Sequence, residues 1–177
     1  MNEELWNECV RFHGHACPGL AMGFRASEVA AETLGVPLEK VRDEEIVCVV
    51  ENDACGIDAV QVIYSCTAGK GNLLFRITGK QAYSFFDRRS GKKVRVLIDG
   101  DFGEMCREDL MNHILTAPEG EVVKVKTPAF DIPETAKIFY SVRCESCGEL
   151  AREDKVRWQD GEQVCLDCFK DYSRNYF

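Results

Sequence analysis

The 177-residue sequence has no run near the roughly 18 apolar residues that a membrane-spanning helix needs, so no span is expected. Its opening, MNEELWNECV, lacks the basic and apolar regions of a secretory signal, which predicts a cytoplasmic protein. Positive charge is scarce. Against 30 Asp and Glu there are 22 Lys and Arg, and the net charge of -8 argues against a general affinity for phosphate backbones. The five prolines fall at helix boundaries or in connections. Histidine is scarce: there are three, and two lie between Phe12 and Gly19. Cysteine is the exception, with ten. Without an export signal these read as metal ligands and reactive thiols rather than disulfides.

The stretch FHGHACPG concentrates His13, His15 and Cys17. If it runs extended, residues two apart share a face and all three point into one pocket. Imidazole and thiolate are the ligands a borderline-soft metal prefers. Pro18 suits the first position of a following helix, because its fixed φ is already helical and its missing N–H would be unpaired there. Cys17 would then be the cap, where the helix dipole favours a thiolate.

A second such place is ENDACGIDA, residues 51–59, after the β-branched run EIVCVVE, which has the look of a central strand. Asn52 or Asp53 is expected to cap a helix running to about Cys66, which puts Cys55 at its start. Asp53 and Asp58 offer carboxylates to orient a histidine or move a proton. If the fold brings these two helix starts together, the core metal site would combine the thiolates of Cys17 and Cys55 with His15 and with His13 as a further ligand or an orienting group. Cys17, Cys55, Asp53 and Asp58 are the catalytic candidates. CTAGKGNL, residues 66–73, lacks the spacing of a P-loop. If that loop overhangs the pocket, Cys66 and Lys70 would contact an anionic ligand.

The remaining core reads as helices over 3–12, 19–34 and 103–115, and a β-meander over 72–99 with Arg76, Arg88 and Arg95 on its solvent face. Two further strands, EVVKVK and AKIFYSVR, follow. Paired strands with helices grouped elsewhere predict an α+β core, an antiparallel-rich sheet packed with helices, over residues 1–140.

Residues 141–177 carry the most specific signal. Cys144 and Cys147, then Cys165 and Cys168, are two C-x2-C pairs separated by 17 residues, the spacing of a closed four-cysteine zinc site. A knuckle, a hairpin at Asp160-Gly161 and a helical tail holding the last ligands would make a treble clef. With four thiolates and no open position, its zinc is expected to be structural. The segment has six basic against eight acidic residues, so nucleic acid is not expected as its partner. The aromatic tail Tyr172, Tyr176 and Phe177 offers a protein something to dock.

The runs FHGHACPGLAMGFRASEVA, ENDACGIDAVQ, CTAGKGNL and FFDRRSGKKVRV together resemble the FmdE family, named for an accessory polypeptide of formylmethanofuran dehydrogenase, over most of residues 1–140. The resemblance implies an α+β core, a homodimer, and association with a molybdenum or tungsten formylmethanofuran dehydrogenase or another molybdopterin-dependent oxidoreductase complex. It delivers no reaction. The resulting expectation is a metal-binding accessory protein or subunit, with zinc, nickel or iron in the core and zinc in the finger. Its rivals are a stand-alone enzyme using Cys17 or Cys55, or a metal-bound water, and a zinc-finger regulator or adaptor.

Overall fold

The computed structural model describes residues 1–39, 44–133 and 137–171. The chain forms two compact units, residues 1–136 and 137–177.

Two helices lead into the first unit, each with local reasons to begin and stop. α1 (Glu3–His13) is capped by the Asn2 side chain, which accepts the Leu5 N–H at 3.1 Å, and it ends at Gly14 with φ +92°. That left-handed cap turns the chain between His13 and His15, so the two histidines do not share the extended run expected of them. α2 (Pro18–Leu34) starts with proline at its first position and stops at Gly35, again left-handed. It lies among α1, α3 (Gly56–Tyr64) and α4 (Arg107–Thr116) and against the sheet. Phe24, Tyr64, Tyr83 and Phe85 are fully buried in this layer. Each such side chain contributes about 1.5–3 kcal/mol by leaving water.

The sheet comprises β1 (Ile46–Val50), β2 (Leu73–Phe75), β3 (Ala82–Asp87), β4 (Lys93–Ile98) and β5 (Val123–Lys126), in the order β2-β1-β3-β4-β5. Only β1 and β2 are parallel; the rest pair antiparallel. The architecture is mixed α+β. The expected meander holds for β3 and β4, but β2 hydrogen-bonds to β1 instead of β3, so the sheet closes through a non-local pairing. α4 starts at Arg107 rather than near Gly103, because the Cys106 sulfur caps it by accepting the Asp109 N–H at 3.4 Å. EVVKVK splits into a short helix, α5 (Glu119–Val122), followed by β5.

One face of the sheet, bearing Cys48, Val50, Tyr83, Phe85, Val94 and Val96, packs against the helices. On the other face Val47, Val49 and Phe86 are covered by Leu74, Phe130 and Ile132. Arg88 and Arg95, expected in solvent, are therefore partly enclosed. Arg95 is 14% exposed and grips the carboxylate of Glu51 through Nε (2.6 Å) and Nη2 (2.9 Å), while Arg76 is exposed.

In the second unit β6 (Ser141–Arg143) pairs with β7 (Leu150–Arg152), and β8 (Val156–Gln159) pairs with β9 (Glu162–Cys165). Each hairpin presents one C-x2-C turn. The helix expected after Cys165 is not formed through Asp171: the N–H groups of Cys168 and Phe169 close a tight turn on the Cys165 carbonyl. The rest of that expected helix, with Tyr172, Tyr176 and Phe177, lies outside the described residues. AKIFYSVR is strand only over Ser141–Arg143 among the described residues. Among those residues no helix is long and apolar enough to cross a membrane.

Candidate metal centres

In the first unit the site is assembled at two helix starts and one helix end. His13 ends α1. Cys17 is the cap of α2, in extended conformation, and its sulfur accepts the Leu20 N–H at 3.3 Å. Asp58 lies in the first turn of α3. The ligand atoms of His13, His15 and Cys17 lie within 4.8 Å of one another, and the two imidazole rings stand 4.6 Å apart.

The hydrogen bonds decide what His13 can do. Its Nδ1 lies 2.7 Å from Asp58 Oδ2, and a carboxylate can only accept, so Nδ1 carries the proton. Nε2 then presents its lone pair toward the Cys17 sulfur, 3.8 Å away. Asp58 is itself held by Gln61 Nε2 at 2.9 Å. A carboxylate fixing one imidazole nitrogen while the other faces a ligand position is the usual support of a metal-bound histidine. Cys17 is buried, His13 half-buried and His15 exposed. The donor set fits a borderline-soft cation at the surface end of a buried thiol.

Cys55 stands immediately before α3. A Cβ added at Gly19 would meet the Cys55 sulfur at 3.5 Å and the Cys17 sulfur at 3.9 Å, so the two thiols flank one glycine. Burial and the neighbouring Cys17 push the Cys55 thiol above its ordinary value. Cys55 falls outside the tight three-residue set of His13, His15 and Cys17. What brings the helix starts together is backbone contact. A Cβ on Gly56 would stand 2.9 Å from the Gly19 carbonyl oxygen and 2.0 Å from the Tyr83 hydroxyl. Gly19 and Gly23, four residues apart on α2, are the sequence signal of this approach.

Three other candidates are placed elsewhere. Asp53 is exposed and caps nothing, since Asn52 occupies the turn: its Oδ1 accepts the Ala54 N–H at 3.2 Å and its amide donates to the Lys80 carbonyl at 3.1 Å. Cys66 is buried, donates to the Ile46 carbonyl at 3.5 Å, and has its thiol pushed up to about 12 by burial. Its loop folds back onto the strand through Asn72, which bonds both Thr67 and Ile46, so Cys66 is a core residue rather than a pocket one. Lys70 belongs to the same loop. A cleft of about 430 Å³ does adjoin the site, but its wall is His15, Cys17, Pro18, Arg107, Glu108 and Met111. The α4 residues on that wall carry no local sequence signal for the role.

In the second unit Cys144, Cys147, Cys165 and Cys168 bring their four sulfurs within 4.8 Å of one another. The Cys144 sulfur accepts the Cys165 N–H at 3.3 Å. Backbone N–H groups of Cys147 and Cys165 hold its thiol down to about 6, so it is ready as a thiolate. Four thiolates around one point fit tetrahedral zinc with no open position.

Two family models match the chain, one over each unit. Residues 12–134 match the family model described as FmdE, molybdenum formylmethanofuran dehydrogenase operon, and residues 139–174 match the prokaryotic dksA/traR C4-type zinc finger. A probable S-adenosyl-L-methionine-binding protein of Archaeoglobus fulgidus is 33% identical over 192 aligned positions, covering 91% of this chain. The chain spans 51% of that relative's length. The crystal structure of a tungsten formylmethanofuran dehydrogenase FmdE-like protein from Syntrophus aciditrophicus superposes with a TM-score of 0.68 at 25% identity, covering 94% of this chain and 90% of that one. The chain belongs to the FmdE family and carries a C4-type zinc finger after its α+β domain.

Proposed function

We propose that this protein is a metal-binding accessory protein of a molybdenum- or tungsten-dependent formylmethanofuran dehydrogenase-like system, acting as a homodimer. It holds a second transition metal, zinc, nickel or iron, on His13, His15 and Cys17. The observation that carries the reading is the convergence of these three ligand atoms, with His13 oriented through Nδ1 by Asp58. Three protein ligands leave room for a fourth, which Cys55 or an exogenous group supplies. His15 is exposed, which favours a metal that can be passed on over one sealed in.

Elemental analysis of the purified protein tests the reading. Two metal equivalents per chain are expected, falling to one in Cys17→Ser with the fold retained, because serine also caps helices. One equivalent in the wild type sinks it.

The cleft beside His15 and Cys17 favours a second reading, an enzyme acting on a ligand bound there. The name of the Archaeoglobus relative suggests S-adenosyl-L-methionine as the probe. Saturable binding that Glu108→Gln weakens, the glutamate being the cleft's carboxylate for a sulfonium, would favour this reading over metal transfer.

A further inference from the structure

The sheet face turned away from the helices carries chemistry that the metal site does not use. Side chains alternate along a strand, so Glu51, next in line after Val47 and Val49, faces that side. Cross-strand register extends the row from Val49 through Ser84 and Arg95 to Lys126. Above it lies a cleft of about 290 Å³ lined chiefly by Glu51, Arg76, Lys80, Arg95, Lys126 and Phe130. Four cations and one carboxylate meet there, in a chain whose net charge is -8.

The carboxylate is already committed. Glu51 accepts two bonds from Arg95 and a third from Thr78 Oγ1 at 3.0 Å. Arg95 keeps its Nη1 unused by that pair. Arg76 lies over the Phe130 ring, 5.0 Å from the centroid. Among the described residues, Arg76, Lys80 and Lys126 have no carboxylate within ion-pair distance. The fully buried Ser84 hydroxyl, beside Arg95 in the same row, has no hydrogen-bond partner among the described groups. Like charges so gathered repel one another until an anion enters.

We propose that this cleft binds a small organic phosphate, its dianionic head on Arg76, Arg95 and Lys126 and its organic part against Phe130. A phosphate monoester offers three terminal oxygens and two negative charges to guanidinium and ammonium donors. A monocarboxylate would leave two of the excess cations unpaired. Extended nucleic acid is disfavoured by the net charge of the chain.

Titration calorimetry of the full chain with glycerol 3-phosphate, inorganic phosphate and glycerol tests the site. The expected result is saturable one-to-one binding of glycerol 3-phosphate and none of glycerol. Arg76→Gln and Lys126→Gln each weaken it about tenfold, the loss of one charge-assisted contact. Both side chains are exposed, so the ligand-free melting temperature stays in place. Cys17→Ser leaves the binding intact. Glycerol 3-phosphate is expected to bind more tightly than inorganic phosphate, and equal affinity overturns the placing of the organic part against Phe130. The proposal is overturned by the absence of saturable binding at millimolar concentration, by wild-type affinity in both variants, or by loss of binding in Cys17→Ser, which would move the anion onto the metal.

Discussion

Gly23 of α2 rests directly on Gly56 of α3: a Cβ at Gly23 would stand 1.9 Å from the Gly56 carbonyl oxygen. No rotamer relieves a clash with backbone, so the helices must separate if either residue grows. Gly23→Ala is expected to cost about 1–3 kcal/mol or more, the usual range for overpacking. Because the same contact holds Cys17 beside Cys55, the variant should also lose core metal. Gly120→Ala, where an added Cβ meets nothing within 4 Å, is the control. Melting curves and metal content of the two variants check this; equal stability would show that the helix contact is soft enough to yield.

Asp58→Asn tests the support of the core site separately from its ligands. The amide leaves the shape intact but can turn its NH2 toward His13 Nδ1, removing the acceptor that fixes the ring. Metal affinity at the core should drop roughly 10–100-fold, the common cost of losing such a partner. Competition with a chromophoric chelator measures it, and the finger's zinc serves as the internal reference. Unchanged core affinity would mean that Asp58 is only a helix-start residue.

The parts of this molecule that sequence reveals are the local ones. Pro18 and Gly35 bound α2 because cap chemistry acts within one turn, and the two C-x2-C pairs announce their metal because each knuckle is four residues long. Arg95 is misread for the opposite reason. The pattern Lys93-Val94-Arg95-Val96 reads as a strand with one wet face, yet Phe130 and Ile132 return from a distant segment to cover that face. The parallel pairing of β2 with β1 is equally invisible, since nothing in either strand names its neighbour. At the candidate core site, sequence singles out His13, His15 and Cys17, whose ligand atoms the fold brings within 4.8 Å of one another, but Asp53 and Asp58 look alike as helix-start carboxylates. Only the packing of α3 against α1 chooses Asp58 as the partner of His13.

Zinc loss should dismantle one unit and spare the other. Residues 137–171 hold two short hairpins whose only described buried positions are Cys144 and Val164, so metal binding supplies most of their folding energy. Cys144→Ser, or prolonged chelation, is expected to expose this segment to protease while residues 1–136 stay resistant. Mass spectrometry of limited digests reads the outcome. A finger that survives without metal would require a core that these residues do not display.

Acid should weaken the Glu51–Arg95 pair. Glu51 is 1% exposed, and the Arg95 hydrogen bonds hold its carboxyl below the ordinary value, against burial, which pushes it up. A carboxyl whose folded value is depressed contributes stability that is present above the unfolded value of about 4.3. That contribution is lost as pH falls through the folded value. Glu51→Gln removes the titration and leaves Arg95, 14% exposed, without its counterion, a loss on the order of 3 kcal/mol at neutral pH. Denaturant melts at pH 7 and in the acid range should therefore show the gap between wild type and variant shrinking as pH drops. If the gap stays constant, the pair stabilises through shape rather than through the charge on Glu51.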